Sequence, residues 1–162
     1  MIDGENDLVE VKIGALIMDP NTNTPIVVLK GIESETVLPI WVGAFEANAI
    51  ALEIEKIVPQ RPMTHDLLRN VIIECGLRAS RVIVTDLLDN TFYASVELTD
   101  DNEDLVTMDA RPSDAIALAL RLDCPIYVRQ KVLDLSARSQ QEDNGEAGDV
   151  GPNVDDWPEL IG

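Results

Sequence analysis

The segment Asn48-Ala49-Ile50-Ala51-Leu52 returns 66 residues later as Asp114-Ala115-Ile116-Ala117-Leu118. At the same offset the run Leu38–Gly43 falls on Asp104–Asp109, and the turn Asn21–Pro25 falls on Leu87–Thr91. Short apolar matches arise readily in helices, but agreement in the order of elements does not. The chain therefore reads as a unit of three strands and a helix, made twice. Three consecutive strands before each helix favour antiparallel pairing, because βαβ crossovers would place a helix after every strand. The expected class is α+β: a mixed, mainly antiparallel sheet built from a duplicated β3α unit, with one extra helix inserted between the copies.

Hydrophobic spacing places the elements. Val9, Val11 and Ile13 alternate with Glu10 and Lys12, the period of a half-buried strand. The turn Pro20–Pro25 leads into a strand over 26–30, and a third strand covers 36–42. After Gly43 the period changes, and Ala47, Ile50, Ile54 and Ile57 share one helical face. Pro59 and Pro62 close that helix. Thr64 is a natural N-cap for the inserted helix, whose buried stripe is expected to be Leu67, Leu68, Val71, Ile72 and Cys75, with Gly76 ending it. The second copy has strands over 82–87, 91–99 and 105–109, then a helix from Pro112 to Leu122 and a last strand over 126–128.

The 162 residues make about one domain by the usual size prior. The expected boundary falls at 138. Residues 139–162 are polar, punctuated by Gly and Pro, and carry seven acidic side chains and no basic one. They read as an acidic tail. Acidic residues outnumber basic ones by 30 to 12 overall, and residues 1–138 alone still carry 23 against 12. Such a surface argues against a broad phosphate-binding footprint. Two cysteines, in no metal-binding pattern, are too few for a disulfide scaffold. The opening MIDGENDLVE has neither a basic region nor an apolar core, so no secretory signal is expected, and no apolar run is long enough to span a bilayer. A cytoplasmic, reducing setting is the expectation.

Several chemistries are excluded. There is no GxxxxGK[ST] loop, no GxGxxG and no GxSxG elbow, and a single histidine forbids an HExxH zinc site. Two Arg-Pro elements remain: Arg61-Pro62-Met63-Thr64-His65-Asp66 and Asp109-Ala110-Arg111-Pro112-Ser113-Asp114. Each sets an arginine before a helix start and carboxylates in the first turn. Guanidinium and free N–H groups there attract an anion. Asp66, Asp109 and Asp114 offer oxygen ligands to a hard cation such as Mg²⁺ or Mn²⁺, and the imidazole of His65 is suited to serve as a general acid or base. Phosphodiester hydrolysis uses such parts. The same residues also serve a purely structural purpose, with the aspartates compensating helix dipoles and the arginines pairing with them.

With Leu38-Pro39-Ile40-Trp41-Val42-Gly43 and the Glu46-Ala47 that follows, these two elements, in this order, resemble the bifunctional nuclease domain family. The likeness runs from about Leu8 to Leu135 and leaves out the tail. It implies an α+β homodimer with nuclease activity on DNA and RNA. It also implies site candidates at Glu46, Arg61, His65, Asp66, Asp109, Arg111 and Asp114. On that basis His65, Asp66 and Glu46 are the expected catalytic residues, Arg61 and Arg111 the phosphate binders, and Asp109 and Asp114 the metal side.

Two functions follow from two classes. One is a metal-assisted nuclease of broad specificity acting on nucleic acid. The other is a non-catalytic ligand-binding or oligomerisation module in which the Arg-Pro corners hold the fold. Placement discriminates them: arginines buried against their own carboxylates favour the module, and arginines opening on a shared cleft favour the nuclease. The helix from Pro112 is apolar nearly all round, which requires cover on more than one side, from a second copy or from its own subunit.

Overall fold

The computed structural model describes residues 7–147, with side chains described through 142. The order is β1 (Leu8–Met18), β2 (Pro25–Gly31), β3 (Val37–Trp41), α1 (Ala44–Ile54), α2 (Thr64–Glu74), β4 (Arg78–Leu88), β5 (Thr91–Thr99), β6 (Leu105–Ala110), α3 (Pro112–Leu122), β7 (Ile126–Arg129) and α4 (Gln130–Ala147). Three strands and a helix occur twice in the same order, with α2 between them, as the repeated letters require.

The seven strands form one sheet in the order β3-β2-β1-β7-β4-β5-β6. Each copy contributes an antiparallel three-strand meander. Strand β7 joins the two, running antiparallel to β1 and parallel to β4, which makes the sheet mixed. Alternation decides the faces. Val27 and Leu29 of β2, Val82 and Val84 of β4, and Val96 and Leu98 of β5 enter one core with Ile50 of α1 and Ile116 of α3.

Helix α3 packs against α1, α2, β4 and β5. Its buried residues, Pro112, Ser113 and Ala115 to Ala119, are therefore covered within the chain. The all-round apolarity of this helix is satisfied without a second copy.

Four expectations are corrected. Helix α1 stops at Ile54, because Lys56 adopts a left-handed φ of 58°, and Ile57 lies outside it half exposed. Met63, not Thr64, is the N-cap of α2. In α2 only Ile72 and Asp66 are buried, while Leu67, Leu68, Val71 and Cys75 are exposed. The helix is rotated because α3 buries the Arg121 side chain, and the Asp66 carboxylate must turn inward to meet it. Finally, α4 continues through the first nine residues of the segment read as a tail, 139–147. It does so on a half-buried stripe of Val132, Leu133, Leu135, Ser136 and Ser139. The rest of that segment, 148–162, lies outside the described residues. Among the described residues, no helix is long and apolar enough to cross a membrane.

Candidate functional site

Helices α1, α2 and α3 begin with the N-caps Gly43, Met63 and Arg111, and each carries its first-turn acid at the third helical position: Glu46, Asp66 and Asp114. Carboxylates belong there, where free N–H groups and the helix dipole favour negative charge. Each of the three is also matched by an arginine, and the arginine decides what the carboxylate does.

Asp66 is matched by Arg121. The Arg121 Nε donates to Asp66 Oδ1 at 2.8 Å, while Met63 N–H donates to Asp66 Oδ2 at 2.9 Å. The remaining guanidinium nitrogens of Arg121 donate to the carbonyls of Ala117 and Ala49, each at 2.9 Å. This buried arginine thus ties together α1, α2 and α3. Burial pushes the Asp66 carboxyl upward, but the Met63 N–H and the Arg121 guanidinium outweigh it and hold the group below its ordinary value. Asp66 does not line the cleft described next; its placement is that of a helix-joining ion pair.

Asp114 is matched differently. Its Oδ1 lies 2.8 Å from His65 Nε2, and its Oδ2 accepts from Arg111 Nε at 2.8 Å. Arg111 also donates through Nη2 to Glu46 Oε1 at 2.8 Å. Glu46, Arg111, Asp114 and His65 therefore form one connected chain of charge and hydrogen bonds. The two carboxylates raise the Arg111 pKa further, with Asp114 contributing most, so the guanidinium stays charged. Gly43 makes the arrangement compact, since a Cβ there would collide with the Glu46 carboxylate.

These four groups line an open cleft of about 590 Å³. The His65 side chain is 14% exposed and Glu46 15%, whereas Arg111 is 66% exposed. The histidine is thus set into the wall while the guanidinium faces solvent. Asp109, at the end of β6, lines the same cleft and is exposed. Arg61 does not line it; it is exposed and makes no salt bridge among the described residues. The structure brings together Glu46, His65, Asp109, Arg111 and Asp114, and separates Asp66 and Arg61 from them. Arg111 is ion-paired yet open to the cleft, so it combines both placements weighed from the sequence.

The donor set does not fit a resident metal in this arrangement. Among the described residues, no three His, Cys, Asp or Glu side chains are grouped to hold an ion. Both oxygens of Asp114 are engaged, by His65 and Arg111.

Sequence reasoning missed Arg121 and the apolar walls of the cleft: Phe45, Met63, Leu68 and Met108. A signal existed for both. An arginine inside a helix apolar all round demands a buried acid, and Phe45 falls out of phase with the Ala47, Ile50, Ile54 face of its helix.

The family model for the bifunctional nuclease domain matches residues 27–141. An uncharacterized protein of Mycobacterium tuberculosis (strain ATCC 25618 / H37Rv) is 41% identical over 124 residues, which is 76% of this chain and 73% of that protein. Bifunctional nuclease 2 of Oryza sativa subsp. japonica is 31% identical over 101 residues, covering 61% of this chain and 31% of its own. Bifunctional nuclease 2 of Arabidopsis thaliana is 28% identical over 120 residues, covering 73% and 36%. The chain matches about a third of the length of each of these two plant proteins.

Proposed function

Because this chain belongs to the bifunctional nuclease domain family, we propose that it hydrolyses phosphodiester bonds of DNA and RNA in the cleft where α1, α2 and α3 begin. The observation that carries this reading is Asp114, which bridges His65 and Arg111 at 2.8 Å each on the wall of an open cleft.

The division of labour follows from the contacts. With Asp114 Oδ1 as the acceptor and His65 Nε2–H as the donor, the ring proton is assigned to Nε2 and Nδ1 becomes the basic nitrogen. His65 Nδ1 takes a proton from water as the water oxygen bonds to phosphorus. The phosphorus–oxygen bond on the far side then breaks, the leaving oxygen takes its proton from solvent, and the imidazolium on the near side gives its proton back to water. Arg111, mostly exposed and fully charged, lies beside the developing phosphorane charge. Glu46 positions Arg111 and is assigned no proton. Arg61, outside the cleft, is left to contact the substrate's flanking phosphates. No step runs through Mg²⁺ or Mn²⁺; their contribution is read in the assay.

Cytoplasmic localisation and a homodimer belong to the same reading. Cys75 and Cys124 are free thiols, in keeping with a reducing compartment. Leu67, Val71 and Ile73 on α2 and Leu105 and Val106 on β6 are exposed apolar side chains suited to a protein interface. Light scattering is expected to give a mass near twice 17.8 kDa; the single mass would remove the dimer.

A second reading, a non-catalytic ligand-binding module, is favoured by the mutual neutralisation of Arg111, Glu46 and Asp114. Cleavage of labelled single-stranded RNA and DNA by highly purified protein, with Mg²⁺, Mn²⁺ or EDTA, separates the two. The nuclease reading expects cutting that His65→Ala and Asp114→Ala each lower at least roughly tenfold. No cutting by any of them would favour the module, and equal cutting by wild type and both variants would overturn the assignment of chemistry to His65 and Asp114.

A further inference from the structure

Phe45 is the second residue of α1 and is 89% exposed, yet it lines the cleft. Helix α1 buries Ala47, Ala49 and Ile50, so Phe45 contributes nothing to that core. It precedes Glu46, the residue that holds Arg111. Met63 and Met108, 44% and 42% exposed, line the same cleft. A flat aromatic ring and two thioether side chains therefore lie beside the His65–Asp114–Arg111 group, a wall that a site reading only phosphates does not need.

Charge makes that wall necessary. The chain carries 30 acidic and 12 basic residues, and in the cleft Arg111 is already matched by Glu46 and Asp114. Phosphate neutralisation, the usual source of affinity for nucleic acid, contributes little here. Within the cleft, most of the affinity has to come from the bases, with Arg61 left to the flanking phosphates outside it. Base faces are available in a single strand and covered by their neighbours in a duplex, and stacking on aromatic side chains accepts any base. Asn48, exposed in the same cleft, supplies an amide for a base edge.

We infer that Phe45 is a base-stacking platform that makes single-stranded nucleic acid the preferred substrate. The inference rests on the nuclease reading above. Phe45 is a specificity residue in it, touching substrate without taking part in the proton transfers.

The test is equilibrium binding of a fluorescein-labelled oligothymidylate strand, and of the same strand annealed to its complement, by the full chain carrying His65→Ala so that nothing is cut. Tighter binding of the strand than of the duplex is expected. Adding Phe45→Ala should weaken strand binding about tenfold, as for one lost stacking contact, and Phe45→Trp should retain it. Equal affinity for strand and duplex, or unchanged strand binding by Phe45→Ala, overturns the inference. So does a Phe45→Ala protein whose light-scattering mass falls to the single chain, because Phe45 would then be an oligomer contact. Cleavage by protein with His65 intact is read separately. Cutting with Phe45-independent binding defeats this inference alone, and Phe45-dependent binding without cutting defeats the nuclease reading alone.

Discussion

His65 Nε2 and Asp114 Oδ1 lie 2.8 Å apart, joining the first turn of α2 to the first turn of α3 across 49 residues of chain. The other oxygen of Asp114 holds Arg111, so a single carboxylate fixes the orientation of the only histidine and of the most exposed cation in the cleft. The duplication supplies its frame. Glu46 and Asp114 each stand third in their own helix, although at the 66-residue offset of the repeat Asp114 falls on Asn48 and Glu46 on Pro112; both meet Arg111, which the second copy alone provides.

Asp114→Asn tests whether this carboxylate does more than compensate a helix dipole. The amide keeps the shape and removes the charge that fixes the imidazole tautomer. Cleavage of labelled single-stranded RNA is expected to fall roughly 100-fold. Stability should change by less than about 1 kcal/mol, because the pair is partly solvated. Urea unfolding beside the rate assay checks both, and an unchanged rate with unchanged stability would leave Asp114 a helix-start residue only.

Much of this was legible because it was local. The alternation in 91–99 and the Arg-Pro start of α3 give elements whose bounds the structure reproduces at Thr91–Thr99 and Pro112–Leu122. What was not legible depended on distant partners. Strand β7 is short, and nothing in its letters says that it lies between β1 and β4. The rotation of α2 was misread because Leu67, Leu68 and Val71 look like a core stripe until Arg121 claims Asp66. The same partner explains the site. Asp66 and Asp114 stand in similar motifs, and only the identity of the arginine each meets sends one into the interior and the other to the cleft. Helix α4 was hidden by polar letters, since its stripe is interrupted by Ser136 and Ser139.

Removing the partner of Arg121 should be costly. Asp66→Ala leaves a guanidinium with 1% exposure whose remaining carboxylate, Glu53, stands off at 3.9 Å; loss of one member of a buried pair costs about 3–5 kcal/mol, and Glu53 holds the cost to the lower end of that range. The pH dependence follows from the depressed pKa. The folded state keeps the carboxylate ionised below the ordinary value of 3.8, where the unfolded chain has already taken up its proton. This stabilisation is therefore complete above 3.8 and is lost as pH falls through the lower, folded-state value. Urea midpoints of wild type and variant should differ most at neutral pH and converge in acid below 3.8. A constant difference down to strong acid would contradict the assignment.

The two thiols should separate by reactivity. Cys75, the C-cap of α2, is exposed. Cys124 is half-buried between α3 and β7, and burial pushes its thiol up to about 11. Because the thiolate is the nucleophile, Cys75 should be alkylated by iodoacetamide well before Cys124 at pH 8 without denaturant. Peptide mass spectrometry reads the order. Equal rates would mean that the α3–β7 corner opens readily.

Gly43 offers a test of the cleft that replaces no charged group. Its φ of −72° suits any residue, so alanine introduces no backbone strain there. The added Cβ would instead collide with the Glu46 carboxylate and turn it away from Arg111. Alanine is also a poorer N-cap than glycine, but that costs only about 1 kcal/mol. Gly43→Ala should therefore fold and lose cleavage several-fold, through an Arg111 held on one side only. The decisive comparison is the double variant. If the effect runs through Glu46, then Gly43→Ala adds nothing in a Glu46→Ala background, and the two losses fail to sum. Additive losses would show that Gly43 acts through the start of α1 itself and that the Glu46–Arg111 contact does not set the geometry of the cleft.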